Sequence, residues 1–261
     1  MARALAGGLV RAGLLSGQDL LASDPDEAAR TRFAQEHGAA TTPSNVEVAQ
    51  RSDVLVLSVK PQAAAEVLDE LAPHVTERHL VVSIVAGLAT PRLDAALRSA
   101  PRLVRVMPNT PCLIGEGASA YCLGPRATAA DGQLVDRLLR SVGLAVPVSE
   151  SLFDAVTGLS GSGPAFAYVM IEALSDGGVQ MGLPRDVAIA LAAQTVAGAA
   201  AMVRHSGEHP AVLRDRVASP GGTTIAGLRA LEDGGFRAAL MAAVEAATRR
   251  CRELGNSTPS S

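Results

Sequence analysis

The sequence predicts two folds in series: a doubly wound α/β domain over residues 1–149, then an all-helical domain over 150–255. Three observations carry this. Asp53–Val59 (DVLVLSV) and Leu80–Val85 (LVVSIV) are nearly unbroken apolar runs, as expected of parallel strands buried on both faces. Runs of this kind alternate with helical stretches until residue 149 and then cease. Beyond that point Val187–Val203 (VAIALAAQTVAGAAAMV) is apolar or small nearly all round, so it must be covered on every side.

Taken in order, residues 2–14 read as a helix and Asp19–Ser23 as a short strand. Pro25–His37 reads as a helix with proline in its first turn and Asp24 as its cap. The strand Asp53–Val59 is followed by a helix over Pro61–Leu71, and the strand Leu80–Val85 by a helix over Thr90–Arg98. Leu103–Met107 is a strand that stops at Pro108-Asn109-Thr110-Pro111. A helix over 128–142 and a strand over 144–148 complete the series. The second half reads as helices over 152–181, 184–205, 210–217 and 221–254, interrupted by Gly or Pro, and then a disordered polar tail, Asn256–Ser261.

Composition narrows the function. The 261 residues are 48% hydrophobic and 19% charged, which supports a sizeable core. Aromatics are only 2%, so the core relies on close backbone approach rather than large rings. A net charge of −3, with no basic patch, argues against nucleic acid as a partner. Three scattered cysteines (Cys112, Cys122, Cys251) suit a reducing compartment. The histidines show one weak i, i+4 pair, His205 and His209, with Pro210 behind it; no metal site is expected. The segment 187–203 is short for a membrane span and contains Gln194 and Thr195, so a buried soluble helix is expected and no membrane partner. Residues 1–18 carry Arg3 and Arg11 without an acid, faintly like a transit peptide, but a helix explains them equally well. The expected compartment is the cytoplasm, with the mitochondrion as the alternative.

The most informative motif is Val217-Ala218-Ser219-Pro220-Gly221-Gly222-Thr223-Thr224. A Ser-Pro turn leads through two glycines and two hydroxyls into a helix. The first N–H groups of a helix lack internal partners and carry partial positive charge. Glycines there admit a ligand to the backbone, so the segment suits a carboxylate or phosphate; an ordinary capped helix start is the competing reading. Lys60 is the chain's only lysine, and its place at the end of a buried strand favours a functional role over packing.

Several stretches together resemble the pyrroline-5-carboxylate reductase family, in wording most like its animal forms. They are Val59-Lys60-Pro61, Val106-Met107-Pro108-Asn109-Thr110-Pro111 and Thr157-Gly158-Leu159-Ser160-Gly161-Ser162-Gly163-Pro164. Gly177-Gly178-Val179, Met181-Gly182-Leu183-Pro184, His209-Pro210 and Ser219–Thr224 follow in the same order. Each is weak alone; the ordered set, from residue 2 to residue 254, is specific. The resemblance implies a Rossmann-like dinucleotide-binding domain, a helical domain that makes a homo-oligomer of dimers joined into a larger ring, and NADPH- or NADH-dependent reduction of a cyclic imine to L-proline, the last step of proline biosynthesis.

It also implies site residues. The amides around Gly221, Gly222, Thr223 and Thr224 would hold the substrate carboxylate, with Ser219 shaping the pocket. The Thr224 hydroxyl would lie near the ring nitrogen as hydrogen-bond donor or proton relay. Being a weak acid, it is not the sole proton source. Glu150 matches an acidic family position near the substrate amine, and reads equally well as an acid favoured at a helix start. For the cofactor, Ser23, Asp24 and Asn45 would meet the adenosine ribose. Ser58, Val59, Lys60 and Pro61 on one strand end and Ile84, Val85 and Ala86 on the next would line the crevice of the sheet. Asp24 suits a free ribose 2′-hydroxyl and Ser23 with Asn45 a 2′-phosphate, so NADH and NADPH both remain open. Asn109 and Gly161-Ser162-Gly163-Pro164 are read as shaping the crevice wall.

Family members begin with a strand and a glycine-rich turn before the helix that Met1–Leu14 resembles. Neither stands in this sequence, so two flanking strands are expected to lack ladder partners and no pyrophosphate cradle is assigned. The expected function is therefore an imine reductase whose given sequence is N-terminally incomplete. Two alternatives are a non-catalytic subunit that assembles with full-length partners, and a β-hydroxyacid-type dehydrogenase. The latter would use a lysine in its second domain, and the helical half here has none.

Overall fold

The computed structural model describes residues 1–98 and 101–256. Two compact units emerge: residues 1–162 together with the C-terminal stretch from Ala246, and residues 163–245. The polar tail beyond Asn256 lies outside the described residues.

In the first unit the order is α1 (Ala2–Arg11), β1 (Leu21–Ser23), α2 (Glu27–His37), β2 (Ala40–Thr42), α3 (Asn45–Arg51), β3 (Val54–Leu57), α4 (Ala64–Leu71), β4 (Leu80–Ser83) and α5 (Thr90–Ala96). Then come β5 (Arg102–Met107), β6 (Gly117–Leu123), α6 (Ala129–Arg140), β7 (Gly143–Pro147) and the short helix α7 (Phe153–Val156). One sheet is the parallel pair β1–β2; the other runs β3-β4-β5-β6-β7, parallel except between β5 and β6.

Both faces of the larger sheet are covered. Leu80, Val82, Val104 and Val106 face Ala4 and Leu5 of α1 and Val135 and Leu139 of α6. Leu55, Leu57, Val81 and Leu103 face Ala49 of α3, Ala64 and Leu68 of α4, and Leu93 and Leu97 of α5. Each such leucine withdrawn from water contributes about 1.5–3 kcal/mol. This two-sided burial is why strand sequences of this unit lack polar alternation.

The predicted doubly wound unit forms, with three elements beyond those read from sequence. β2 and α3 are short, and the residues of β2 (Ala40–Thr42) make a weak strand signal. β6, GASAYCL, is built mostly of small residues and turns back antiparallel on β5 after only a short 3-10 helix, Thr110–Ile114, so alternation does not reveal it. The cap of α2 is Asp26, whose carboxylate accepts from the Ala28 N–H, rather than Asp24. Asp24 instead accepts from the Asp26 N–H and so shapes the turn before the helix.

Among the described residues β1 pairs only with β2, and β3 only with β4, so each keeps an unpaired edge as the sequence implied. On β3 the consequence is visible: Leu55 and Leu57 are buried, whereas Val54 and Val56 are 37% and 45% exposed.

The second unit comprises α8 (Gly163–Gln180), α9 (Arg185–Ser206), α10 (Pro210–Arg216), α11 (Thr223–Asp233) and the first part of α12 (Phe236–Asn256). The span 221–254, read as one helix, is two, broken at Gly234-Gly235, where Gly235 has φ +69°. α8 and α9 pack through small residues, Gly178 lying against Ala188, with Ser175 and Ala192 buried. The larger apolar side chains of these helices point outward: Tyr168, Val169, Leu191 and Met202 are all more than half exposed.

Candidate active site

The residues predicted to meet a dinucleotide gather at the carboxyl ends of parallel strands. Ser23 ends β1, Ser58–Pro61 follow β3 and Ile84–Ala86 follow β4. β3 and β4 are in register through Leu57 and Ser83, and the Ile84 N–H donates to the Leu57 carbonyl at 3.1 Å, so these last two segments lie side by side. Lys60 and Ala86 are exposed there. The Val85 side chain is buried in the core beside Leu93 and Leu97, which leaves its backbone for a ligand. Val59 likewise packs partly against that core.

At the end of β1 a polar chain joins three helices and strands. The Ser23 hydroxyl donates to Asn45 Oδ1 at 2.7 Å, and Asn45 Nδ2 donates to Glu70 Oε2 at 2.7 Å. Asp24 stands exposed beside it, while Nη1 of Arg30 bonds the main-chain carbonyls of Asp24 and Pro25 at 2.7 and 3.0 Å. Hydroxyl, amide and carboxylate at the end of a parallel strand fit the ribose of an adenine dinucleotide.

Glu150 sits in a different network. Its Oε1 accepts from Arg105 Nη1 at 2.5 Å and from the Thr90 N–H at 3.1 Å. Its Oε2 accepts from the Thr90 hydroxyl at 2.6 Å and from the Cys122 thiol at 2.9 Å. Arg105 is buried, and its guanidinium lies 4.5 Å from the centre of the Phe153 ring, a cation–π contact. Burial pushes the Glu150 carboxyl upward, but the Cys122 and Thr90 hydrogen bonds and the Arg105 charge outweigh it and hold it below the usual carboxylate range. The Cys122 thiol is pushed up to about 12, first by burial and then by its hydrogen bond to Glu150 and that group's charge. Glu150 thus ties α5, β5 and β6 together, and direct contact with a substrate requires releasing one of these bonds.

Asn109 is a second tie. Its Oδ1 accepts from the Ala118 N–H at 2.8 Å and its Nδ2 donates to the Ser160 carbonyl at 3.1 Å. That carbonyl belongs to a π-helical turn, Thr157–Gly161, within the glycine-rich motif.

In the helical unit Ser219–Gly222 form the turn that leads into α11. Gly221 has φ +67°, a conformation that favours glycine, and the Gly222 N–H donates to the Ser219 carbonyl at 3.1 Å. A Cβ on Gly222 would collide with the Ser219 hydroxyl. Gly222 is the N-cap and supplies no side chain, so Thr223 and Thr224 occupy the first helical positions with no capping side chain on their N–H groups. A cavity of about 580 Å³ adjoins this start, lined among others by Gly221, Gly222, Arg214 and Arg229. The arrangement can accept a small anion at backbone N–H groups with two hydroxyls beside it.

Sequence reasoning missed Arg105, Thr90 and Glu70. For Arg105 a signal existed: a charge inside the apolar strand RLVRVM must be paired. Thr90 and Glu70 carry none, because their partners are 60 and 25 positions distant.

Residues 150–254 match the profile described as pyrroline-5-carboxylate reductase dimerisation, and residues 1–87 the one described as NADP oxidoreductase coenzyme F420-dependent. A pyrroline-5-carboxylate reductase of Glycine max is 48% identical over 97% of this chain and 92% of its own length. Pyrroline-5-carboxylate reductase 2 of Homo sapiens is also 48% identical, over 97% of this chain and 81% of its own. The likeness therefore extends equally to plant and animal members. A pyrroline-5-carboxylate reductase structure from Coxiella burnetii superposes with a TM-score of 0.92 at 34% identity, covering 98% of this chain and 95% of that one. The Plasmodium falciparum pyrroline carboxylate reductase, solved with NADP bound, gives 0.87 at 35% identity, covering 97% and 94%.

Proposed function

The chain belongs to the pyrroline-5-carboxylate reductase family, and from that premise we propose how its residues carry the family's reaction. The enzyme performs NAD(P)H-dependent reduction of 1-pyrroline-5-carboxylate to L-proline, the last step of proline biosynthesis. The nicotinamide cofactor supplies the hydride that saturates the imine carbon. The protein's share is to bind, orient and stabilise charge.

The N–H groups of Gly221, Thr223 and Thr224 hold the substrate carboxylate at the positive end of α11, while Gly222, its own N–H given to the Ser219 carbonyl, keeps the approach open and Ser219 braces the turn. The observation that carries this is the combination at the start of α11: an N-cap glycine without a side chain, Gly221 at φ +67° before it, and two hydroxyl residues in the first turn. The Thr224 hydroxyl hydrogen-bonds the ring nitrogen; the proton that nitrogen keeps in the product either enters with the protonated imine or passes to it from water through this hydroxyl, which regains one proton for each it gives. Ser23, Asp24 and Asn45 take the adenosine ribose; Ser58–Pro61 and Ile84–Ala86 line the path along the strand ends, Lys60 adding a positive charge for the phosphates. Glu150 keeps α5 and the strands beside it fixed.

The chain is a homo-oligomer through its helical part. We read the assembly as dimers joined into a larger ring in the cytoplasm. α9 meets the length and hydropathy of a membrane span, with only 11% of its apolar window buried within the chain. A second copy covers that surface in this reading, since α8 beside it is exposed in the same way.

The test is oxidation of NADPH and NADH by the purified chain with pyrroline-5-carboxylate. Thr224→Ala should lower kcat by roughly 10²-fold, the usual worth of a positioned proton donor. An unchanged kcat would remove Thr224 from the chemistry.

A further inference from the structure

Glu70 has no role in the reaction as assigned, yet it is bound into the ribose end of the cofactor crevice. It lies in the last turn of α4, where an acid is disfavoured by its own helix dipole, and its Oε2 accepts from Asn45. A carboxylate can only accept, so it fixes which end of the Asn45 amide turns toward it: Nδ2 faces Glu70 and Oδ1 faces Ser23. Ser23 must therefore donate its single hydroxyl proton inward, to Asn45, and offers only lone pairs to a ligand.

The acid beside it shares that polarity, and the nearest cation is partly held elsewhere. Asp24 is an exposed carboxylate at the same strand end. Arg30, the neighbouring cation, has its Nη1 held by two main-chain carbonyls. A ribose 2′-hydroxyl can donate to such acceptors. A 2′-phosphate is an acceptor carrying close to two negative charges, and would meet the lone pairs of Ser23 and the carboxylates of Asp24 and Glu70.

We propose that Glu70, acting through Asn45, sets the polarity of the ribose subsite so that this chain prefers NADH to NADPH. The proposal rests on the cofactor placement given above. Glu70 is a positioning residue: it turns the amide, the amide turns the hydroxyl, and the hydroxyl meets the cofactor.

The experiment measures dissociation constants of the full chain by calorimetry for NADH and NADPH, and for adenosine 5′-monophosphate and adenosine 2′,5′-bisphosphate, which probe the ribose end alone. The wild type should bind NADH about tenfold more tightly than NADPH, the order of one hydrogen bond. Glu70→Gln keeps an acceptor toward Asn45 and removes the charge, so the ratio should narrow only severalfold. Glu70→Lys can only donate; it should reverse the amide, free the Ser23 proton for the ligand and invert the preference. Asp69→Asn, a neighbouring acid on the same helix, should leave the ratio where it was. A ratio unchanged in both Glu70 variants while both dinucleotides bind overturns the role of Glu70 alone, and a ratio that follows Asp69→Asn equally overturns the relay in favour of bulk charge. Failure of the folded wild type to bind any of the four ligands overturns the cofactor placement, and this proposal with it.

Discussion

Replacing Glu150 with alanine should destabilise the α/β unit far more than an ordinary surface change. The side chain accepts four hydrogen bonds, from Arg105, Cys122 and the N–H and hydroxyl of Thr90. Its loss leaves the Arg105 guanidinium buried, with side-chain exposure of 7%, and without a counter-charge. Breaking a buried pair costs about 3–5 kcal/mol. Because the Glu150 side chain is 35% exposed, water relieves part of this, and about 2–3 kcal/mol is expected. Urea titration followed by circular dichroism would read the change in midpoint, and pairing the variant with Arg105→Met isolates the coupling. The single variants should sum to more than the double, since each leaves its partner stranded. A Glu150→Ala cost below about 0.5 kcal/mol, or strict additivity, would refute the pairing and the bracing role built on it. The pH dependence has a definite sign. The carboxyl is held below its unfolded value, so its contribution is complete above that value and fades as the pH falls through the folded one. The gap between wild type and Glu150→Gln should therefore narrow in acid.

Asn109→Ala strands the Ala118 N–H and the Ser160 carbonyl, and should cost about 1–3 kcal/mol in the same urea titration. Cys122, with its thiol pushed up to about 12 and buried, should resist a thiol reagent at pH 8 in the folded protein and react once it is unfolded; rapid native labelling located on Cys122 by mass spectrometry would contradict its environment. Ala199→Glu, on the surface of α9, puts a charge into a close contact between copies and should dissociate the oligomer in size-exclusion chromatography. An unchanged elution volume would place the interface elsewhere.

Much of this molecule was legible before its structure. Strands β3, β4 and β5 announced themselves through short, mostly apolar and β-branched runs, and α9 because it is apolar nearly all round. The turn at Ser219–Gly222 and the helix start after it were legible because their causes are local: a glycine at φ above zero, then an N-cap without a side chain. Strand β6 was hidden, since small residues hold a strand only when a partner pairs with it. So was the break at Gly234-Gly235, because two glycines inside a helical pattern end a helix only when the chain must turn.

By itself, then, the sequence determined the elements whose cause is short-range: the apolar runs of the strands, the helical stretches between them and the glycine turn before α11. Tertiary structure alone decided which charges meet. Glu150 accepts from residues 28, 45 and 60 positions earlier, and Asn45 joins Ser23 to Glu70 across three segments. Such pairings follow from the order of strands and the crossing of helices. No local pattern encodes them, because the energy that selects them appears only once burial has removed the competing water.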